Sequence, residues 1–125
     1  MSLRTIEQER ALFAYNEIDE VERSGNKDYK SLVRGFASMI LQNGLGQALA
    51  FLRAKGKSNQ SDHHNILYRH INEWLKKDES NFDILNKIVN GQNEIYRLYT
   101  KETLAFLVWL KKFAEAELPD KKDNR

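Results

Sequence analysis

The histidines are the first side chains to test for chemistry, because imidazole is the commonest metal ligand and acid–base group in proteins. The chain has three of them, His63, His64 and His70. His63 and His70 are seven residues apart and would project along one face of a helix. Two helical turns separate them, which is too far for two ligands of one ion, and no Glu-x-x-His or His-Glu-x-x-His pattern accompanies them. The sequence therefore predicts surface histidines, with no metal site and no cofactor.

Two glycine-containing segments match nucleotide-binding motifs only in part. Gly56-Lys57-Ser58 ends like a phosphate-binding loop, but Phe51 occupies the position of the first glycine that this loop needs. Gly44-Leu45-Gly46 begins like a dinucleotide fingerprint, but Leu49 occupies the place of the third glycine. The chain also has no cysteine, so thiolate ligands and a cysteine nucleophile are absent. The sequence predicts a protein that is not an enzyme and has no catalytic residues.

Basic side chains are better candidates, because phosphate backbones are bound by lysine and arginine. The net charge of the chain is only +2, but its distribution is uneven. Residues 1–22 carry two basic and six acidic side chains, whereas residues 23–61 carry seven basic side chains and one acid, Asp28. This basic segment is either a phosphate-binding face or an ordinary solvated surface.

The candidate RNA-binding residues fall into three groups. The first group lies at the start of a predicted helix with spacings of three and four, the second lies where the next helix ends, and the third interrupts the last helix. Stabilisation of a helix C-terminus explains Arg53 and Lys55 equally well, but it does not explain the first group. The predicted RNA-binding residues are Lys27, Lys30 and Arg34, then Arg53, Lys55 and Lys57, and finally Lys111 and Lys112.

Apolar periodicity predicts the elements that would position these residues. Stripes at spacings of three and four indicate helices over residues 3–24, 28–42, 45–55, 62–77, 81–90 and 92–118. Asp28 is expected to cap the second helix, and Phe82, Leu85 and Val89 to face inward on the fifth. Residues 104–110 are all apolar, which predicts a long C-terminal helix buried on most sides. We expect an all-α fold, a compact bundle of about six helices.

The same pattern sets the expected domain organisation. A chain of 125 residues fits one domain, which we place at 1–118, followed by a frayed tail at 119–125 that begins with the single proline. No apolar run approaches the length of a membrane span, and the polar, acidic N-terminus is unlike a signal peptide. With no cysteine, these features predict a cytoplasmic protein with no membrane partner.

Two blocks of sequence resemble the small α-helical subunit of the type III-B CRISPR effector, the Cmr complex. The first block is the Asn-Gly-Leu turn and the helix after it, at 43–52, followed by Lys55-Gly56. The second block runs from Tyr96-Arg97 through Glu102 to the Trp-Leu-Lys-Lys-Phe-Ala run at 109–114. The segment Glu9-Arg10-Ala11 and the spacing between the blocks fit as well. The family often has a proline shortly before the Asn-Gly turn, whereas residues 36–39 contain none, so this helix is expected to run straighter.

The resemblance implies a function that composition does not supply. Small subunits of this family stack in a filament with further copies of themselves and with other Cmr subunits, and they help to hold guide RNA and target RNA in a shared channel. Catalysis belongs to other subunits, so no catalytic residue is carried over. Arg53, Lys55, Lys111 and Lys112 lie at or beside matched positions. The alternative interpretation is a helical DNA-binding regulator, but the loop at 56–61 is longer than the usual turn of a helix-turn-helix motif.

Overall fold

A computed structural model describes residues 4–120, which form six α-helices and no β-strand. The predicted all-α class is therefore confirmed. In chain order the helices are α1 (Ile6–Ser24), α2 (Tyr29–Asn43), α3 (Leu45–Gly56), α4 (His63–Lys76), α5 (Ile84–Asn90) and α6 (Asn93–Glu117).

Helix α1 begins at Ile6 because Thr5 caps it. The hydroxyl oxygen of Thr5 accepts a hydrogen bond from the N–H of Gln8, and the Gln8 side chain accepts one from the N–H of Thr5. This reciprocal pair satisfies two amides that a helix start leaves without partners. The predicted start at residue 3 lies outside the described residues, and residues 4 and 5 are not helical.

The interior of the bundle is built from the apolar faces of all six helices. Phe106 of α6 stacks on Trp74 of α4 with ring centroids 5.4 Å apart, and Phe13 of α1 packs against both rings. Each fully buried side chain of this size stabilises the fold by roughly 1.5–3 kcal/mol. These rings hold α1, α4 and α6 together.

The predicted capping of α2 is half right. Asp28 is the residue before the helix, as expected, but its side chain makes no capping hydrogen bond. At the other end α2 stops at Gly44, which has a positive φ of 89° and starts α3 at once. The α2–α3 corner is therefore formed by a single residue.

Helix α5 begins later than predicted, and one of its predicted inward residues is exposed. The helix begins at Ile84, because the Asp83 side chain accepts from the N–H of Asn86 and caps it there. Its buried residues are Ile84 and Ile88, whereas Val89 is 72% exposed. Of the predicted inward residues, Phe82 is buried but precedes the helix, Leu85 is partly buried against the core, and Val89 faces outward.

Helix α6 is long, and its apolar segment at 104–110 is buried on most sides, as predicted. Seven consecutive apolar residues cover every face of nearly two helical turns. Phe106, Leu107 and Leu110 lie in the core, while Val108 is 55% exposed. Helix α6 packs against α1, α2 and α4, and Val108 stays exposed beside them.

The chain after α6 is held against α2 as far as Asp120. Leu118 is buried, and its backbone oxygen accepts a hydrogen bond from the Nζ of Lys30. The Asp120 carboxylate forms an ion pair with the same Nζ at 2.9 Å. The remainder of the predicted tail, residues 121–125, lies outside the described residues. Within the described part, no helix is both long enough and apolar enough to cross a membrane.

Candidate nucleic-acid interface

The three candidates of the first group have different environments. Lys27 precedes α2, whereas Lys30 and Arg34 lie on the helix. Lys27 is exposed and forms no ion pair with a described residue. Lys30 is only 8% exposed, and its ammonium group is turned inward to Leu118 and Asp120. Arg34 forms an ion pair with Glu115 at 2.7 Å, and this interaction raises the pKa of the guanidinium. Of the three residues predicted to share a helix face, only Lys27, just before the helix, has no ion pair with a described residue.

The candidates near the end of α3 divide in the same way. Arg53 donates to the Tyr68 hydroxyl and to the Asp83 carboxylate, both at 2.6 Å, and lies over the Tyr68 ring. Burial, followed by the hydrogen bond to Asp83, raises the pKa of Tyr68 well above its ordinary value of 10.0. Arg53 thus ties α3 to α4 and to the start of α5. Lys55 and Lys57 are exposed and form no ion pair with any described residue.

Lys111 and Lys112 of α6 are exposed and border an apolar groove between α2 and α6. No carboxylate of the described chain pairs with either ammonium group. Helix α6 is not polar around these lysines, because Val108 is exposed one turn earlier. The groove is lined by Val33, Ala37, Leu104, Leu107, Val108, Lys111, Lys112 and Glu115.

The fold brings the first and third groups of candidates together. Glu115 pairs with Arg34 across the α2–α6 boundary and also lines the groove beside Lys111 and Lys112. The group around Arg53 belongs to α3, α4 and α5 instead. The amino-acid sequence alone does not show the groove itself. The sequence feature that could have indicated the groove is the seven-residue apolar run of α6, which covers more of the helix surface than neighbouring helices can bury.

The prediction of surface histidines is wrong for His70. This residue is fully buried, and its Nδ1 lies 2.6 Å from the hydroxyl oxygen of Tyr29. Its Nε2 lies 3.0 Å from the Glu17 carboxylate. The apolar face of α4 carries His70 into the contact with α1 and α2, which a spacing argument on α4 alone does not show.

The matched residues Arg10 and Glu102 pair across the bundle. Arg10 donates to Glu102 through Nε at 2.7 Å and through Nη2 at 2.8 Å, and the Trp74 indole N–H donates to the same carboxylate at 2.8 Å. These hydrogen bonds, with that of Arg10 the strongest, lower the pKa of Glu102 against the opposing effect of burial. This cluster joins α6 to α1 and α4 and is structural.

The fold and these contacts define a small all-α helical bundle. The crystal structure of a CRISPR-associated Cmr5 family protein from Thermus thermophilus superposes with a TM-score of 0.79 and 27% identity, covering 94% of this chain and all of that one. The family model for the CRISPR-associated protein Cas_Cmr5 matches residues 6–117. The chain therefore belongs to the Cmr5 family.

Two curated relatives support the same assignment. The CRISPR system Cmr subunit Cmr5 of Thermotoga maritima is 33% identical over 121 residues, covering 94% of this chain and 88% of the relative. The Cmr subunit Cmr5 of Thermus thermophilus is 30% identical over 120 residues, covering 91% and 96%. The resemblance to the small subunit of the type III-B Cmr complex is confirmed.

Proposed function

We propose that this chain is a non-catalytic small subunit of a type III-B CRISPR (Cmr) ribonucleoprotein effector. It stacks with further copies of itself and with other Cmr subunits, and it helps to hold guide and target RNA by their phosphate backbones for antiviral defence. Family membership supports the assignment to the complex, because the relatives are named as Cmr subunits.

The observation that carries the RNA-binding part is the set of exposed lysines that pair with no carboxylate of residues 4–120. Lys55 lies in the last turn of α3 and Lys57 directly after the helix, and Lys111 and Lys112 are consecutive residues of α6. Phosphate contacts position a nucleic acid and are independent of its sequence, which guide pairing reads instead. These exposed lysines suit this task better than Lys30 or Arg53, whose charged groups are already bound within the fold.

The groove between α2 and α6 supports the protein-binding part. Its floor exposes apolar side chains of both helices, and its rim carries Lys111, Lys112 and Glu115. An apolar centre with a charged rim is the usual composition of a protein interface. A chain of net charge +2 binds RNA weakly alone, but copies in a row add their phosphate contacts, so assembly supplies the affinity.

The experiment compares RNA retention by assembled complexes that carry variants of the tagged chain. We expect Lys111→Gln/Lys112→Gln and Lys55→Gln/Lys57→Gln to release RNA at lower salt than the wild type. Each lost contact reduces the slope of log affinity against log salt by about 0.7 per phosphate. Circular dichroism should show unchanged helix content, because all four side chains are exposed.

The matched control is Arg23→Gln/Lys76→Gln, which removes the same charge from residues that pair with Asp19 and Glu73 on their own helices. It should leave RNA retention unchanged. Equal losses in the control and in the lysine variants would mean that net charge alone matters and would contradict the proposed contact. Purification of the chain without RNA or companion subunits would contradict the proposal as a whole, and sequence-specific binding to duplex DNA would favour the regulator instead.

A further inference from the structure

His70 is a buried histidine with one ring nitrogen unused. The residue is fully buried on α4, and the Tyr29 hydroxyl fixes its ring through Nδ1 at 2.6 Å. Nε2 is buried as well, and among the described residues it has no hydrogen-bond partner. A buried polar atom of this kind costs free energy unless something binds it.

Two carboxylates face this nitrogen from α1. The Oε1 of Glu17 lies 3.0 Å from Nε2, and the Oε1 of Glu20 lies 3.8 Å away. The two glutamates are three residues apart and share a helix face, so both reach the same point on α4. One ligand atom from each of the three residues lies within 4.8 Å of the other two.

The shortest contact has the separation expected of two ligands of one ion. The Oε1 of Glu17 lies 3.0 Å from Nε2, yet the two atoms form no hydrogen bond. Two ligand atoms of one ion lie this close without bonding to each other. With metal–ligand bonds of about 2.0–2.2 Å and ligand angles of about 90–109°, the two atoms are about 2.8–3.6 Å apart.

We propose that Glu17, Glu20 and His70 bind a divalent first-row transition-metal ion, with Zn²⁺ as the best match. An imidazole nitrogen selects against Mg²⁺ and Ca²⁺, which prefer oxygen ligands alone. One histidine and two carboxylates leave a position for water in a tetrahedral site. The ion joins α1 to α4, and through Tyr29 to α2, so its role is to stabilise the bundle.

Tyr29 acts behind the ligands and is not one of them. When Nε2 binds the ion, the neutral ring carries its proton on Nδ1, which donates to the Tyr29 hydroxyl oxygen 2.6 Å away. This hydrogen bond holds the histidine ring in place. Such an outer partner of a ligating histidine commonly sets the orientation of the ring and its affinity for metal.

A second cluster on the same helix is a weaker candidate. Asp62, His63 and His64 are consecutive residues at the start of α4, and all three are half-buried. The Asp62 carboxylate already accepts from the backbone N–H of His64 at 2.7 Å and lies 2.8 Å from its Nδ1. This carboxylate caps the helix, so the cluster has a structural role without an ion.

The test is metal binding by the full chain, stripped with chelator and titrated with ZnCl₂ by calorimetry. We expect one ion per chain and a thermal midpoint that rises with Zn²⁺. Cobalt, used as a spectroscopic probe, should give the absorption of a tetrahedral site. Glu20→Gln, whose side chain is 57% exposed, should fold normally and bind at least tenfold more weakly, and Glu17→Gln should behave alike.

Two control variants separate this site from adventitious binding. Glu22→Gln changes an exposed carboxylate of α1 outside the cluster, and His63→Gln/His64→Gln removes the second cluster. Both should bind one ion with wild-type affinity. Absence of binding, equal affinity in Glu17→Gln and Glu20→Gln, or loss of the ion in the double histidine variant would each overturn the proposal. None of these outcomes depends on assembly with RNA or with other subunits.

Discussion

The hydroxyl of Tyr96 on α6 accepts a hydrogen bond from the backbone N–H of Gly46 on α3 at 3.0 Å. Gly46 belongs to the first sequence block that resembles the Cmr small subunit, and Tyr96 begins the second. A Cβ atom built on Gly44 would lie 2.9 Å from the same hydroxyl oxygen. The two blocks therefore meet in one contact, which needs a small residue at the α2–α3 corner. This contact places the start of α6 against α3.

Substitution of Gly44 tests this corner. Gly44 has φ 89° and ψ 154°, a backbone conformation that glycine adopts almost alone. We expect Gly44→Ala to lower the free energy of unfolding by about 1–3 kcal/mol from backbone strain. The contact with Tyr96 adds to this loss. Urea unfolding followed by circular dichroism measures the change.

The same substitution at Gly35 is the control. Gly35 is exposed within α2, and a Cβ there would meet no atom within 4 Å. Gly35→Ala should therefore raise the free energy of unfolding by about 0.5–1 kcal/mol through helix propensity. In a Tyr96→Phe background the cost of Gly44→Ala should be smaller, because the crowding oxygen is gone. Equal costs in both backgrounds would mean that Tyr96 does not crowd the corner.

The pairing of Arg10 with Glu102 predicts a dependence of stability on pH. Arg10, helped by Trp74, lowers the pKa of Glu102 below its ordinary value of 4.5. The unfolded chain therefore binds more protons in acid, and the stabilisation is complete above pH 4.5 and declines as the pH falls below it. We expect the wild type to lose more free energy of unfolding than Glu102→Gln between about pH 6 and about pH 3.5.

Glu115 provides the comparison for this prediction. Its pKa is also lowered, by Arg34, but its side chain is exposed and water screens the pair. Replacement of Glu115 by Gln should change the acid dependence far less than replacement of Glu102. If the two variants behave alike, the partly buried position of the Glu102 carboxylate does not strengthen its pairing.

The sequence alone predicts where the helices lie, but it does not predict which groups pair with their charged side chains. Helix periodicity and the glycines at 25, 44 and 91 place the elements, because these signals are local. The predicted start of α5 was wrong because Ser80, Asn81 and Asp83 can each cap a helix. Tertiary contacts determine which of them does so. Asn72 of α4 donates to the Phe82 oxygen and accepts from the N–H of Ile84, which fixes the start at Asp83.

The candidate site shows the same division. Spacing correctly predicted that Lys30 and Arg34 lie on one side of α2, but it did not show that the end of α6 covers that side. A lysine at such a position buries its stem and pairs its ammonium group. His70 was misplaced for the same reason. Which face of a helix is covered depends on its neighbours, and these come from distant parts of the chain.

Lys30 offers a test that separates structural cations from RNA-binding ones. Its ammonium group donates to the buried Leu118 oxygen at 2.9 Å and pairs with Asp120. Lys30→Met keeps the apolar stem but leaves that oxygen without a donor, so we expect a loss of about 1–3 kcal/mol in the free energy of unfolding. Lys27→Met, at an exposed position, should change stability by less than about 0.5 kcal/mol.

For RNA retention by the assembled complex we expect the reverse order, with the larger effect in Lys27→Met and the smaller effect in Lys30→Met. Lys27→Met removes an unpaired surface charge, so retention should become more sensitive to salt while stability stays the same. Lys30→Met removes a charge that faces Leu118 and Asp120, so retention should fall only as far as the folded fraction falls. Loss of RNA from a fully folded Lys30→Met complex would show that this ammonium group leaves Asp120 to bind phosphate. In that case the ion pair with Asp120 competes with RNA, and Asp120→Asn should then tighten retention.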